Sequence, residues 1–246
     1  MITAPPLHIA QNNHFRDPKV WKHQDAWYMV LGGMLEGRGK VLLYSSTNLV
    51  NWHYVSIVTE SDGTMGYMYA CPDFFHIAQT EVLMFCPEGA SQIGEPRTSG
   101  YYLGNLNYAQ GKFEMSVFRK LDHGFDFYAP QTTCDDQGRR ILMGWMPMDG
   151  LSVNKQWAGV RTIPREITLD DQGKIKIRPV TEMKRLRKKP TLFRDLTIEA
   201  DELQIMEQLA GDGYEIIIEY DVSATTAEAM GLSICSSREG QDSDSL

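Results

Sequence analysis

Gly66-Tyr67-Met68-Tyr69-Ala70-Cys71-Pro72-Asp73-Phe74-Phe75 reads as a strand that opens on a Cys-Pro step and runs into bulky apolar residues. Arg16-Asp17-Pro18-Lys19-Val20-Trp21 opens on an Asp-Pro step 53 residues earlier (17 to 70), and Tyr128-Ala129-Pro130-Gln131-Thr132 begins a third such strand 58 residues later (70 to 128). Each interval holds three or four short apolar or alternating runs, among them Trp27–Leu31, Val41–Ser45, Glu81–Cys86 and Gly100–Leu103. Each closes on an aromatic strand such as Trp52-His53-Tyr54-Val55 or Phe113-Glu114-Met115. A long repeat with about four strands per unit points to the blades of a β-propeller. A β-sandwich would place strands every 8–12 residues or so without the longer period. The chain is therefore expected to be all-β. In a propeller the first strand of every blade lines the central channel, so Asp17, Ala70 and Tyr128 are expected around one funnel.

Turn chemistry separates the strands. Ser61-Asp62-Gly63, Pro87-Glu88-Gly89, Asp135-Asp136-Gln137-Gly138 and Asp170-Asp171-Gln172-Gly173 all end in a glycine able to adopt positive φ. The pattern changes after Arg178-Pro179-Val180. Residues 179–190 form a basic stretch, read as a solvated linker helix, and residues 191–246 begin a second β module with strands near Thr197–Ile198, Tyr214–Tyr220 and Leu232–Cys235. The last eleven residues are polar and read as a disordered tail.

Composition excludes several classes. With 24 basic and 32 acidic residues the 246-residue chain carries a net charge of −8 and a pI near 5.3. That balance opposes a nucleic-acid surface, whose affinity rests on neutralising phosphates. No apolar run approaches the roughly 18 residues of a membrane span, and the N-terminus shows no secretory pattern, so a cytoplasmic protein is expected. Cys71, Cys86, Cys134 and Cys235 form no CxxC pair and read as reduced thiols. The motifs G-x-S-x-G and H-E-x-x-H and the P-loop are absent. Gly37-x-Gly39 precedes a strand, and the six histidines are scattered, so neither cofactor nor metal is expected. What remains is carboxylate chemistry with aromatic walls. Arg16 beside Asp17 favours a charged carboxylate, suited to holding sugar hydroxyls or stabilising positive charge and poorly suited to donating a proton.

The series resembles glycoside hydrolase family 32, the invertases and fructanases, and in particular its bacterial sucrose-6-phosphate hydrolase branch. The stretches that carry it are His14–Trp21, Trp27–Gly32, Gly66–Phe75, Asp126–Thr132, Arg139–Met146, Trp157-Ala158-Gly159 with Pro164-Arg165-Glu166, and Arg178-Pro179-Val180. The resemblance implies part of a five-bladed propeller over 1–178, then the start of a β-sandwich module. It implies a retaining β-fructofuranosidase acting on a fructoside: sucrose, sucrose 6-phosphate or fructan. Asp17 with Arg16 matches the aspartate that stabilises the transition state, Cys71 the cysteine after the acid/base, and Tyr128 the tyrosine of the next pocket strand.

Two departures stand out. Ala70 occupies the position of the acid/base glutamate. The nucleophile belongs to an Asn-Asp-Pro strand well upstream of Arg-Asp-Pro, and this chain begins only sixteen residues before Asp17. The chain by itself is therefore expected to be inactive, with Asp73 or Glu88 as the substitute carboxylate should turnover persist. A second reading makes it a degenerate propeller serving as a sugar-binding or subunit-association module. Open edge strands favour a homo-oligomer in either case.

Overall fold

The computed structural model of the chain describes residues 2, 4–6, 8–90, 97–124, 126–148, 158–199, 202, 204, 213–223, 225–234 and 244–245. Trp157, Cys235 and most of the polar tail lie outside the described residues. Two compact units emerge, Met1–Val180 and Thr181–Leu246.

In the first unit every sequence interval folds into one antiparallel sheet. β1 (Phe15–His23), β2 (Ala26–Leu35), β3 (Arg38–Ser46) and β4 (His53–Glu60) pair in chain order. So do β5 (Met68–Ile77), β6 (Thr80–Glu88), β7 (Gly100–Asn107) and β8 (Lys112–Met115), with the short β9 (Arg119–Lys120) added to β7. The third sheet runs β10 (Tyr128–Cys134), β11 (Arg140–Met146), β13 (Arg165–Leu169) and β14 (Ile175–Pro179), with β12 (Val160–Arg161) on β11. Consecutive up-and-down sheets are the blades of a propeller. Tight hairpins make this order: Leu35 pairs Arg38 across Glu36-Gly37, both at positive φ, as a two-residue turn requires.

The sheets stack through alternating side chains. Phe74, Leu83 and Phe85 of the middle sheet pack on Val30, Val41 and Leu43 of the first. Their sequence neighbours Phe75, Val82 and Met84 point the other way, onto Phe127, Leu142 and Ile167 of the third. The middle sheet is thus apolar on both faces, which is why β6 reads as a nearly unbroken apolar run. The outer face of the first sheet, with Met29, Leu31, Leu42 and Tyr44, is packed by Ala10 and Ile9 of the N-terminal segment.

The second unit is sparser. Thr181–Leu186 is a 3-10 helix with no buried residue. The apolar run expected as a strand at Tyr214–Tyr220 is exposed and has no ladder partner among the described residues. Ser233–Ile234 pairs Asp244–Ser245 as β15 and β16, so two residues of the tail expected to be disordered join a ladder. Among the described residues no helix is long and apolar enough to cross a membrane.

Candidate active site

The innermost strands β1, β5 and β10 share one backbone device. Asp17 (φ 62), Cys71 (φ 50) and Ala129 (φ 48) each adopt the left-handed region directly before Pro18, Pro72 and Pro130. Each lies where the ladder register breaks, between Arg16 and Lys19, Ala70 and Asp73, and Tyr128 and Gln131. Positive φ at a non-glycine residue costs of order 1–3 kcal/mol, and proline removes the ladder donor, so a bulge forms and re-aims the chain. The device also sets the repeat: Asp17 corresponds to Cys71 and Ala129, whereas Ala70 and Tyr128 correspond to Arg16. The expected trio of Asp17, Ala70 and Tyr128 is therefore offset by one residue, because the bulge depends on φ and not on spacing.

The device brings blades together. Cys71 N–H donates to Asp17 Oδ2 at 2.9 Å, so the backbone of the second blade holds the carboxylate of the first. Arg16 Nε stands 3.6 Å from the same oxygen. One turn of side chains deeper, Lys19 Nζ reaches Asp73 Oδ1 at 3.2 Å and Thr132 carbonyl at 2.6 Å, while Thr132 N–H donates to Asp73 Oδ2 at 2.6 Å. Asp73 is fully buried and ties three inner strands, a structural role that leaves it no access to a ligand. Ala70 is buried beside its ladder partner Cys86.

Glu88 is the residue that sequence reasoning undervalued. Its carboxylate accepts from Arg16 Nη2 at 2.8 Å and from Tyr128 OH at 3.2 Å on one oxygen, and from Tyr67 OH at 2.8 Å on the other. Arg16 Nη1 also lies 3.2 Å from His14 Nδ1. Pro87-Glu88-Gly89 reads as turn punctuation, yet the apolar run before it ends β6 beside Met68, at the end of the hairpin where β5 opens. That adjacency was the available signal. Arg16, Asp17, Glu88 and Tyr128 thus meet at one mouth; the Ala70 side chain offers no polar group to it.

The electrostatics select among roles. Burial, then the Asp17 charge, pushes the Cys71 thiol up to about 12, so it stays protonated and is no nucleophile near neutrality. Burial raises the Tyr128 phenol and the hydrogen bond to Glu88 raises that of Tyr67, so both remain donors. Among the described residues no cluster of His, Cys, Asp or Glu is arranged to hold a metal ion. Two carboxylates on one guanidinium, ringed by phenols, form an acceptor-rich site for hydroxylated ligands.

Known proteins extend this picture. The Glycosyl hydrolases family 32 N-terminal domain matches residues 1–179. The chain is similar to the sucrose-6-phosphate hydrolase of Bacillus subtilis (strain 168), 39% identical over 190 residues, covering 71% of this chain and 40% of the relative. It is also similar to the raffinose invertase of Escherichia coli, 40% identical over 196 residues, 76% of this chain and 40% of the relative. Among solved structures, the Bombyx mori family 32 β-fructofuranosidase superposes with a TM-score of 0.69 at 37% identity, over 75% of this chain and 41% of that one. A mutant of that enzyme has been solved in complex with sucrose. Fructan 1-exohydrolase IIa from Cichorium intybus superposes with a TM-score of 0.65 at 26% identity, over 76% and 38% of the two chains. These neighbours are five-bladed propellers, and the chain spans between about two fifths and one half of the length of the curated relatives it matches. Three blades in series, and a family domain that accounts for residues 1–179, place the chain in glycosyl hydrolase family 32.

Proposed function

We propose that this chain supplies the fructosyl-holding part of a retaining β-fructofuranosidase site whose substrate is sucrose, sucrose 6-phosphate or a fructan. One observation carries the reading: Asp17 is fixed by Cys71 N–H at 2.9 Å and flanked by Arg16, with its carboxylate one-third exposed at the mouth. A carboxylate so held accepts hydroxyl hydrogen bonds and faces the positive charge that develops on the sugar ring in an oxocarbenium-like transition state. In this reading Arg16 orients Asp17, Tyr128 and the Cys71 backbone shape the pocket, and Ala70 is the vacated acid/base position. The nucleophile belongs to a segment outside residues 1–246, and residues 191–246 begin the sandwich module. The free thiols of Cys71, Cys86 and Cys134 support a cytoplasmic setting.

Titration of the purified chain with sucrose, fructose and 1-kestose tests the reading. Weak fructoside binding that Asp17→Asn abolishes is expected, with no measurable sucrose turnover. General acid/base help is worth about 10²–10⁴-fold, and without a nucleophile the covalent route is closed. Robust turnover by the chain alone would overturn the assignment of Ala70 as a vacated position and bring Glu88 forward as its substitute.

A second reading, a subunit-association module, has its own observation. Trp145, Val160 and Ile163 on and near the third sheet are 42%, 38% and 46% exposed, and Ala129, Met143 and Trp145 line a hollow of about 340 Å³. Such faces favour a homo-oligomer.

A further inference from the structure

Glu88 draws donors from all three blades, and its surroundings are shaped to keep it there. Tyr67 N–H donates to the Glu88 carbonyl at 2.8 Å. The flanking glycines are both at positive φ: a Cβ on Gly66 would meet the Glu88 carbonyl oxygen at 2.6 Å, and one on Gly89 the Tyr67 ring at 2.8 Å. Only glycine at both places lets Tyr67 and Glu88 lie this close. A guanidinium fork with two phenolic hydroxyls is a donor set for an oxyanion, matched equally to carboxylate and phosphate. Here the chain provides the oxyanion itself.

We propose that Glu88 is a specificity-determining residue: its carboxylate fills the Arg16–Tyr67–Tyr128 donor set and so reserves the mouth for neutral fructosides over phosphorylated ones. The inference rests on the fructoside reading and goes beyond it by choosing the substrate class. With the fructosyl unit on Asp17, the phosphate of sucrose 6-phosphate, carried by the glucosyl leaving group, comes to the same mouth. It can reach Arg16 only by displacing Glu88 and then stays near two carboxylates, Glu88 and Asp17. Like charges brought together this way are a strong discriminator. A sugar hydroxyl asks only for an acceptor lone pair, which both carboxylates retain.

The test is calorimetric or NMR titration of the whole chain, as wild type, Glu88→Gln and Glu88→Asp, with sucrose, sucrose 6-phosphate and inorganic phosphate. Wild type should favour sucrose over sucrose 6-phosphate by roughly tenfold or more, a preference that shrinks as salt is raised. Glu88→Gln should bring the ratio to about one or invert it, and bind inorganic phosphate roughly tenfold tighter, while Glu88→Asp keeps the wild-type ratio. Glu88→Ala should show the same gain as glutamine and serves if that variant does not fold. An unchanged ratio in Glu88→Gln, or a wild type that prefers the phosphorylated sugar, overturns the proposal with the fructoside reading intact. If wild type binds neither sugar, the fructoside reading fails. The phosphate arm then decides on Glu88 alone, a gain in Glu88→Gln upholding the closed donor set and no gain refuting it.

Discussion

The middle and third blades share a strand order and an inner-strand bulge, yet their side chains live in different surroundings. Of the nine residues of β6, seven are buried. In β11, at the same place in the third sheet, only Leu142 and Gly144 are buried. The middle blade has a neighbour on each face, whereas the third packs through Phe127, Leu142 and Ile167 toward the middle one and shows Trp145 on the other side. A blade is therefore not a self-sufficient folding unit: its apolar pattern is complete only when both faces are covered. The sharpest way to break this comparison is the same truncation in both blades. Phe85→Ala, at a side chain with no exposure and ring contacts to Tyr69, Tyr102 and Phe118, should cost about 3–5 kcal/mol in denaturant unfolding. A cost under 1 kcal/mol there would mean that the first two sheets do not share a core in solution.

Asp73 offers the next largest effect. Asp73→Ala leaves Lys19 and the Thr132 N–H without their carboxylate and should cost about 3 kcal/mol. The loss should fall on the junction of all three inner strands, so hydrogen exchange ought to rise in β1 and β10 together. A variant as stable as wild type would show that the inner strands are held by the sheet cores alone. Glu88→Gln on the same hairpin should change stability by less than about 1 kcal/mol, since its ion pair is partly solvated. One hairpin thus carries a fully buried carboxylate and a partly solvated one, and exposure separates them.

That separation shows what the sequence could and could not disclose. The three Pro-containing strand openings and their long spacing made the blades legible, because a repeat survives in composition even when lengths vary. That Arg16, Asp17 and Tyr128 stand on strands brought side by side was legible for the same reason. The one-residue offset of Asp17 was not, since positive φ before proline leaves no mark on residue type when the position is Asp, Cys or Ala. Glu88 was hidden by the turn signal of its neighbours Pro87 and Gly89. Its partners Arg16 and Tyr128 lie 72 and 40 residues away, and only the closing of the blades brings them to it. Tyr214–Tyr220 differs in the opposite direction: its apolar character suggests a strand, but a strand needs a ladder partner, and among the described residues it has none.

The middle blade should also contribute alkaline sensitivity through its thiols. Burial pushes the Cys71 and Cys86 thiols from their ordinary 9 up to about 12. Between these values the unfolded chain has lost protons that the folded chain keeps, so stability is intact below pH 9 and falls as pH rises toward 12. The slope is at most about 1.4 kcal/mol per pH unit for each thiol. Unfolding midpoints from pH 8 to 10.5 should show this decline, and Cys86→Ala should roughly halve its slope, leaving the part due to Cys71. Ellman's reagent at pH 8 should find Cys134 of the third blade quickly, because it is exposed, and Cys86 only on unfolding. Rapid labelling of Cys86 would show that the middle blade opens far more readily than its packing implies.

The smallest of the truncation effects belongs to the third blade and sharpens the comparison most. Trp145 pairs through its backbone with Tyr128 and Arg161 and keeps 42% of its surface in solvent. Its indole rests on Gly159, where a Cβ would meet Nε1 at 2.4 Å, so the ring covers backbone and does not fill a core. Truncation there removes less buried area than at Phe85, because two fifths of the residue is already in solvent, and Trp145→Ala should cost about 1–2 kcal/mol for the dilute chain. The same variant should lower self-association in sedimentation measurements, because it removes the largest apolar group from that face. Concentration separates the two contributions: a monomer's stability is independent of it, whereas stability gained from a partner grows with it by mass action. If Trp145→Ala in dilute solution proves as costly as Phe85→Ala, the face is already covered when the chain is a monomer. The contrast between a blade closed on both sides and one open on one side would then be lost.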